Sequence, residues 1–155
     1  MELRPPASLR REHEELHAGL AETIKAGGNT GNAAKKVADI LHAHFLKEEE
    51  YALPPLGMLP VLAEGTVLPE MQAVIELTDR LKADLGHMLK EHEEIVTALK
   101  SLIRAAEGEG NEKAVIFAEK LMLHAQTEED VLYPASILIG EYLKLKLSRR
   151  LISQN

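Results

Sequence analysis

Apolar residues recur every three or four positions along most of the chain, which is the spacing of one face of an α-helix. Glycine, proline and asparagine interrupt this pattern and divide the chain into segments. The pattern predicts four long helices and one shorter C-terminal helix, over about residues 8–26, 32–53, 70–106, 112–133 and 135–152. In the fourth helix the predicted buried seam contains Ala114, Phe117, Leu121, His124, Glu128 and Val131.

The connections between the helices predict the fold class. Two of them are short turns, whereas residues 54–69 carry four prolines and two glycines and are expected to cross over the fold. We therefore predict an all-α, up-down antiparallel four-helix bundle with a short extra C-terminal helix. The 155 residues fit a single domain over 1–155, with the bundle core at about 8–135 and the C-terminal helix at about 135–152.

Composition narrows the possible chemistry. A formal net charge of −7 argues against nucleic acid as a partner. The absence of cysteine excludes disulfides, thiolate zinc sites and iron–sulfur clusters, and it leaves seven histidines as candidate metal ligands. Neither a secretory signal at residues 1–8 nor an apolar run long enough for a membrane span is visible, so we expect a cytoplasmic location.

The second half of the chain repeats features of the first. The segment EHEEL at residues 12–16 returns as EHEEI at residues 91–95, an offset of 79. The pair His44 and Glu48, four residues apart, returns as His124 and Glu128, an offset of 80. Each half is therefore predicted to be a helical hairpin with one histidine on its first helix and a His-x-x-x-Glu pair on its second.

Repeated polar residues on apolar seams indicate a buried metal site. Residues four apart on a helix lie one above the other, so the histidine and glutamate of each pair point the same way. A buried, unpaired carboxylate costs several kcal/mol, and a divalent cation offsets that cost. Imidazole and carboxylate suit iron, manganese or zinc. The competing interpretations are ordinary core histidines and solvated surface pairs. The candidate ligands are His13, His44, Glu48, His92, His124 and Glu128.

These motifs resemble the hemerythrin-like, HHE cation-binding family. The resemblance covers about residues 8–135, and it implies a four-helix bundle that holds a non-haem diiron site. By motif position, the four histidines resemble the terminal ligands, while Glu48 and Glu128 resemble the bridging carboxylates.

The sequence departs from oxygen-carrying hemerythrins at one place. Those proteins have a second histidine four residues before the one that His92 resembles, whereas this chain has Met88 there. His87 would reach the seam only if a π-bulge near Gly86 rotated it inward. His17 lies one turn after His13 and is a further lower-ranked candidate ligand. A four-histidine centre argues against simple oxygen carriage.

Three other side chains have alternative interpretations. Glu49 and Glu129 are expected to be solvated, although a carboxylate beside a ligand can orient a ligand histidine. Tyr51 is either a hydrogen-bond donor to the site or a packing residue. Tyr133 is interpreted as a packing residue.

The leading functional hypothesis is a metal-binding protein, with two non-haem iron ions as cofactor and manganese or zinc as alternatives. It would bind or sense O2, NO or peroxide, or handle iron. The alternatives are a peroxidase-like or NO-reducing diiron enzyme and a helical interaction module with a structural metal. The apolar and basic C-terminal segment, which includes Leu138, Arg150 and Leu151, packs across the bundle end, forms a homodimer or contacts another partner.

Overall fold

A computed structural model describes residues 2–153 of the chain. Within these residues the α-helices are α1 (Ala7–Lys25), α2 (Gly28–Lys47), α3 (Leu59–Ala63), α4 (Gln72–Gly108), α5 (Glu112–Thr127) and α6 (Tyr133–Ser153). Two π-helical segments, Glu48–Ala52 and Glu128–Leu132, continue α2 and α5, and two 3-10 segments occupy Pro54–Met58 and Pro69–Met71.

Short turns join the helices of each hairpin. Between α1 and α2 the backbone turns at Gly27 and Gly28, whose φ angles of 69° and 60° favour glycine because it has no Cβ. Between α4 and α5 the turn contains Gly110 at φ 67°. The side chain of Asn111 then accepts a hydrogen bond of 3.1 Å from the backbone N–H of Ala114 and caps α5.

Helices α1, α2, α4 and α5 form the bundle, because each contacts the next around a closed ring. The predicted all-α bundle is confirmed. The heptad spacing of the third long helix predicts an inner seam, and its members are buried except Leu85, which is half-buried: Leu81, Leu85, Met88, His92, Ile95, Leu99 and Leu102. The main core cluster lies toward the two hairpin turns and contains Leu16, Leu20, Ala34, Val37, Leu41, Phe45, Ile95, Leu99, Leu102, Ala118 and Leu121.

The opposite end of the bundle is closed by residues 54–71 and by α6. Leu56, Met71, Ile139 and Leu143 pack into a second apolar cluster there. The inner face of α6 therefore packs across the bundle end, as one of the three interpretations of the C-terminal segment predicts. The side chains of Arg150 and Leu151 lie outside the described residues. No helix within residues 2–153 is long and apolar enough to cross a membrane.

The fourth long helix differs in detail from its prediction. Pro134 does not end it, since the chain stays helical from Glu112 to Ser153, and a proline in the first turn of α6 needs no N–H donor there. Val131, predicted on the buried seam, is 55% exposed, whereas Tyr133 is buried. The π segment accommodates one extra residue and rotates everything after Glu128, so ordinary helical periodicity gives the wrong face.

Candidate metal centre

Six polar side chains from all four bundle helices converge in one layer of the core. All six belong to the candidate ligand set predicted from the sequence. Each is almost completely buried, with exposures of His13 4%, His44 1%, Glu48 0%, His92 2%, His124 4% and Glu128 1%.

The layer divides into two groups of four donors that share both glutamates. We call the group His13, His124, Glu48 and Glu128 site A, and the group His44, His92, Glu48 and Glu128 site B. Within each group the potential ligand atoms lie within 4.8 Å of one another. Each group can therefore hold a metal ion.

The two oxygens of each glutamate face different sites. In Glu48, Oε2 lies 3.6 Å from His13 Nε2 in site A, while Oε1 lies 3.0 Å from His44 Nε2 in site B. In Glu128, Oε1 contacts His124 Nε2 in site A, and Oε2 lies 3.6 Å from His92 Nε2 in site B. Both carboxylates are thus oriented to bridge the two sites.

The two glutamates begin equivalent π-helical segments. The N–H of Leu53 donates to the carbonyl of Glu48 over 2.9 Å, and the N–H of Tyr133 donates to the carbonyl of Glu128. Both bonds span five residues instead of four, which marks a π turn. Because the segments start 80 residues apart, the internal repeat includes this irregularity of the backbone.

Each histidine presents Nε2 to the layer and Nδ1 to a carboxylate outside it. His124 Nδ1 lies 2.7 Å from Glu12, and His92 Nδ1 lies 3.0 Å from Glu129. Longer separations of 3.5 Å for His44 to Glu91 and 3.7 Å for His13 to Glu49 complete the ring. We call these four carboxylates the outer carboxylates. A carboxylate on the outer nitrogen fixes the orientation of an imidazole and raises its basicity as a ligand.

Sequence reasoning missed part of this ring. Glu12 and Glu91 were not singled out, although each directly precedes a candidate ligand and the two are related by the 79-residue offset. Glu129 was expected to be solvated but contacts His92, and Glu49 is half-exposed beside His13. The Glu-His and Glu-Glu dipeptides, which occur in both halves of the sequence, are the feature from which these carboxylates could have been predicted.

Tyr133 reaches the layer as well, which was not predicted. Its hydroxyl oxygen lies within hydrogen-bond distance of Oε1 of Glu48 and, at 2.7 Å, of Oε2 of Glu128, so its one proton is shared between the two carboxylates. The same oxygen lies 3.3 Å from His44 Nε2 and 3.2 Å from His92 Nε2. The hydroxyl therefore contacts all four donors of site B. The π turn explains this position, since it brings residue 133 onto the same side as residue 128, five positions earlier.

Comparison with protein-family models identifies the chain. The model described as the hemerythrin HHE cation-binding domain matches residues 4–136. The chain belongs to the hemerythrin HHE cation-binding family. Comparisons with curated proteins and with solved structures gave no significant match.

In this HHE domain, carboxylates determine the protonation of His92 and His124. Burial alone lowers the pKa of His92, but hydrogen bonds to Glu128 and Glu48 outweigh it and raise this pKa from 6.5 to about 10. Burial likewise lowers the pKa of His124, while Glu128 and then Glu12 raise it to about 9. A metal ion that binds these nitrogens must therefore displace protons.

The pKa values of Glu128 and Tyr133 shift in opposite directions. Burial acts to raise the pKa of Glu128, but hydrogen bonds with Glu48, His124 and His92 hold it well below its usual value. Burial and the charges of Glu48 and Glu128 raise the pKa of Tyr133 far above its usual 10. The metal-free layer thus pairs imidazolium with carboxylate and keeps a neutral phenol between the carboxylates.

Two lower-ranked candidate ligands of the HHE domain do not join the layer. The side chain of His87 is 60% exposed and lies 3.8 Å from Glu91. The π-bulge near Gly86 that His87 would need is not present, because α4 is α-helical throughout and the π segments follow His44 and His124 instead. His17 is exposed, with its ring 4.7 Å from the ring of Phe45.

Met88 and Tyr51 pack beside site B. Met88 is buried at the position where oxygen-carrying hemerythrins have a histidine. The hydroxyl of Tyr51 lies 3.8 Å from the Met88 sulfur and donates to Asp84 over 2.5 Å. Tyr51 is therefore a packing residue with its own partner on α4, not a donor to the layer.

The donor set of this HHE domain suits a divalent cation. Glu48 Oε2 and His13 Nε2 are buried and have no hydrogen-bond partner among the described residues. They are 3.6 Å apart, which is too far for a good hydrogen bond. Two buried polar atoms that face each other without a hydrogen bond are costly in an apolar core, and a cation between them would satisfy both.

Proposed function

We propose that this HHE domain holds two non-haem iron ions, one at site A and one at site B, and binds a small ligand such as O2, NO or peroxide. The observation that carries the proposal is the pair of four-donor groups that share Glu48 and Glu128. Imidazole and carboxylate are ligands typical of non-haem iron. Manganese and zinc share this preference, so the choice of iron rests on the family match together with the donor set.

The ligands would divide between the sites by atom. His13 and His124 would hold the ion at site A, His44 and His92 the ion at site B, and the carboxylates of Glu48 and Glu128 would bridge them. When bound, iron supplies redox electrons and open coordination positions for a small ligand.

The chain supplies a shielded environment around these donors. The ring of His13 stacks on Phe45 at a centroid distance of 4.6 Å, and the main core cluster lies on the same side. Tyr51, Ala52 and Met88 enclose the opposite side. Exclusion of water by these residues strengthens the electrostatic interactions inside the layer. The outer carboxylates would keep each imidazole in the orientation that binds metal.

Anaerobic reconstitution with Fe(II), followed by metal analysis, tests the proposal. We expect two irons per chain and an optical spectrum that changes on addition of O2, NO or peroxide. His44→Ala should lose at least one iron, and His42→Ala is the matched control because His42 is exposed on the same helix. Less than one iron per wild-type chain, or equal loading in His44→Ala, would refute the proposal.

The same preparation separates ligand binding from catalysis and iron from other metals. A reduced centre that reacts once per chain is a binding or sensing site, whereas repeated turnover with an external reductant makes the protein an enzyme. Loading with Fe(II), Mn(II) and Zn(II) in competition then ranks the metals directly. Preferential retention of zinc with no response to O2, NO or peroxide would favour a structural metal site.

A further inference from the structure

Large apolar side chains are exposed in a row along the outer side of the fourth long helix. Six of them lie on the continuous helical stretch formed by α5, the π segment Glu128–Leu132 and α6. We call them the outer stripe. They are Ile116, 58% exposed, Leu123, 67%, Val131, 55%, Leu138, 65%, Leu145, 62%, and Ile152, 77%.

The outer stripe has the seven-residue spacing of one heptad position. Four of its five steps are seven residues long, and the step from Leu123 to Val131 is eight. The eight-residue step spans the π segment, whose extra residue keeps Val131 in line with the others. Residues seven apart lie on the same side of a helix that packs along a second helix, and in a full coiled coil they make up one of the two apolar positions of each heptad.

The outer stripe faces away from the bundle. Ile116 lies between the buried residues Ala114 and Ala118, which point to the opposite side of α5. Leu145 is likewise two residues after the buried Leu143. Single exposed apolar residues are ordinary on protein surfaces, but these six lie on one side of one helix at regular intervals of about 10 Å.

Charged residues flank the outer stripe asymmetrically. Residues three positions after a stripe residue lie on one side of it, and residues four positions after lie on the other. The first side carries Glu119, and the second carries Lys120. One turn earlier, Glu112 and Lys113 lie on the same two sides. The end of the stripe on α5 is therefore bordered by acid on one side and base on the other.

We propose that the outer stripe is the contact surface of a parallel homodimer, in which it packs in register against the stripe of a second copy. A two-fold axis parallel to the helices places each stripe residue opposite its own counterpart and makes the surface self-complementary. It also brings the acidic side of one copy against the basic side of the other, so Glu119 meets Lys120. An antiparallel pair would instead align sides of like charge.

The size of the outer stripe predicts a dimer of modest strength. From Ile116 to Ile152 the helix is about 54 Å long and about 11 Å wide, which gives roughly 600 Å² for each copy. Stable interfaces of standard size bury about 800 Å² per partner. The only cross-bundle ion pairs of the two lysines within residues 2–153 are long, 3.5 Å for Lys113 to Glu22 and 3.6 Å for Lys120 to Glu15, so both lysines can exchange partners on dimerisation.

Sedimentation of the full chain at several concentrations tests the existence of the dimer. We expect concentration-dependent dimerisation in the wild type. The double variant Leu138→Glu and Leu145→Glu should weaken it by more than about 30-fold, because unpaired charges would be buried at the contact. Leu68→Glu is the matched control, since Leu68 is also exposed but lies off the stripe. A wild type that stays monomeric at about 100 µM, or a dimer that persists in the double variant, would overturn the proposal.

Engineered cysteines test the parallel arrangement, because the chain contains no cysteine of its own. Under mild oxidation Leu123→Cys should form a disulfide-linked dimer with itself, and Leu68→Cys should not. In an antiparallel pair, Leu123 would face Leu145, about 33 Å along the helix from its own counterpart. Cross-linking only in a mixture of Leu123→Cys and Leu145→Cys chains would therefore disprove the parallel arrangement. Circular dichroism of each variant checks that it is folded.

A charge exchange tests the flanking residues separately. Glu119→Lys alone and Lys120→Glu alone should each weaken the dimer, because each places like charges together across the contact. The double exchange Glu119→Lys and Lys120→Glu should restore dimerisation to near the wild-type strength. Failure of the double exchange to recover any affinity would contradict the proposed register.

Discussion

Sites A and B have the same kinds of donor, but their surroundings differ. In site A, His13 borders a surface cavity of about 360 Å³ that is also lined by Arg4, Arg10 and His17. In site B, the hydroxyl of Tyr133 contacts the donors and Met88 packs behind them. The internal repeat of the sequence thus gives the two sites the same kinds of donor. Residues that differ between the two halves place site A beside a cavity and place a buried phenol in contact with site B.

Removal of a shared carboxylate should have the largest effect, because it damages both sites. We expect Glu128→Gln to lose most of both irons, since one neutral amide then replaces an ionised ligand of each site. Metal analysis after anaerobic reconstitution measures the loss. Retention of one full iron would show that Glu128 belongs to a single site.

Removal of one histidine should affect mainly its own site. His13→Asn should lose the ion of site A, and His92→Asn should lose the ion of site B, so each variant should retain about one iron per chain. Metal analysis counts the ions, and the optical response to NO compares the remaining sites. If both variants give the same spectrum, the two sites are not chemically distinct.

Changes in the outer carboxylates should weaken the sites without removing a ligand. Glu12→Gln should lower metal affinity at site A and Glu129→Gln at site B, each by about 10–100-fold, because His124 or His92 loses its charged partner. Competition with a chelator provides the affinities. Glu50→Gln is the control, as Glu50 pairs with Arg80 at the surface. Equal affinities in all four proteins would contradict an orienting role.

Replacement of Tyr133 should act on site B alone. An ion that enters site B must displace the phenol, whose one proton is shared between the two carboxylates, and a hydrogen bond to a charged group contributes about 1.5–3 kcal/mol. Tyr133→Phe should therefore raise the affinity of site B by about tenfold or more, as measured by stepwise titration with metal. A loss of the second ion would show instead that the Tyr133 oxygen is itself a ligand.

The stability of the metal-free protein should depend on pH with a predictable sign. The folded-state pKa values of His92, about 10, and His124, about 9, exceed the unfolded value of 6.5. Their stabilising effect is complete below pH 6.5 and is lost as the pH rises through 9 to 10. Thermal unfolding between pH 6 and pH 10 should show a falling midpoint, and His124→Asn should show a shallower fall. A midpoint that rises over this range would contradict the assigned protonation.

The sequence specified much of the bundle and the polar layer because both follow from helical periodicity. Seams such as Leu81, Met88 and Ile95 are buried as predicted, and the six candidate donors converge; their role as metal ligands stays a prediction. The prediction of which side chains face the core was wrong where the helix departs from 3.6 residues per turn. Val131 was placed inside and Tyr133 was given only a packing role, because the π turn between them has no pattern of its own in the sequence.

The outer carboxylates were missed for a different reason. Glu12 is 40% exposed and Glu129 is 33% exposed, so their positions on the helices are those of surface residues. Their contacts with His124 and His92 depend on how neighbouring helices pack, which helical phase alone does not determine. The repeated dipeptides around the histidines provide the relevant evidence in the sequence.

The π segment at residues 128–132 also determines how the protein tolerates changes in chain length. Deletion of one residue from 130–132 would remove the residue that the π turn accommodates, so a regular α-helix would place Tyr133 four positions after Glu128 and leave α6 in its present orientation. Tyr133 would stay beside the carboxylates, and Leu143 would stay buried. A codon lost from α5 would instead rotate everything after it by about 100° and disturb the polar layer, the bundle end and the outer stripe together.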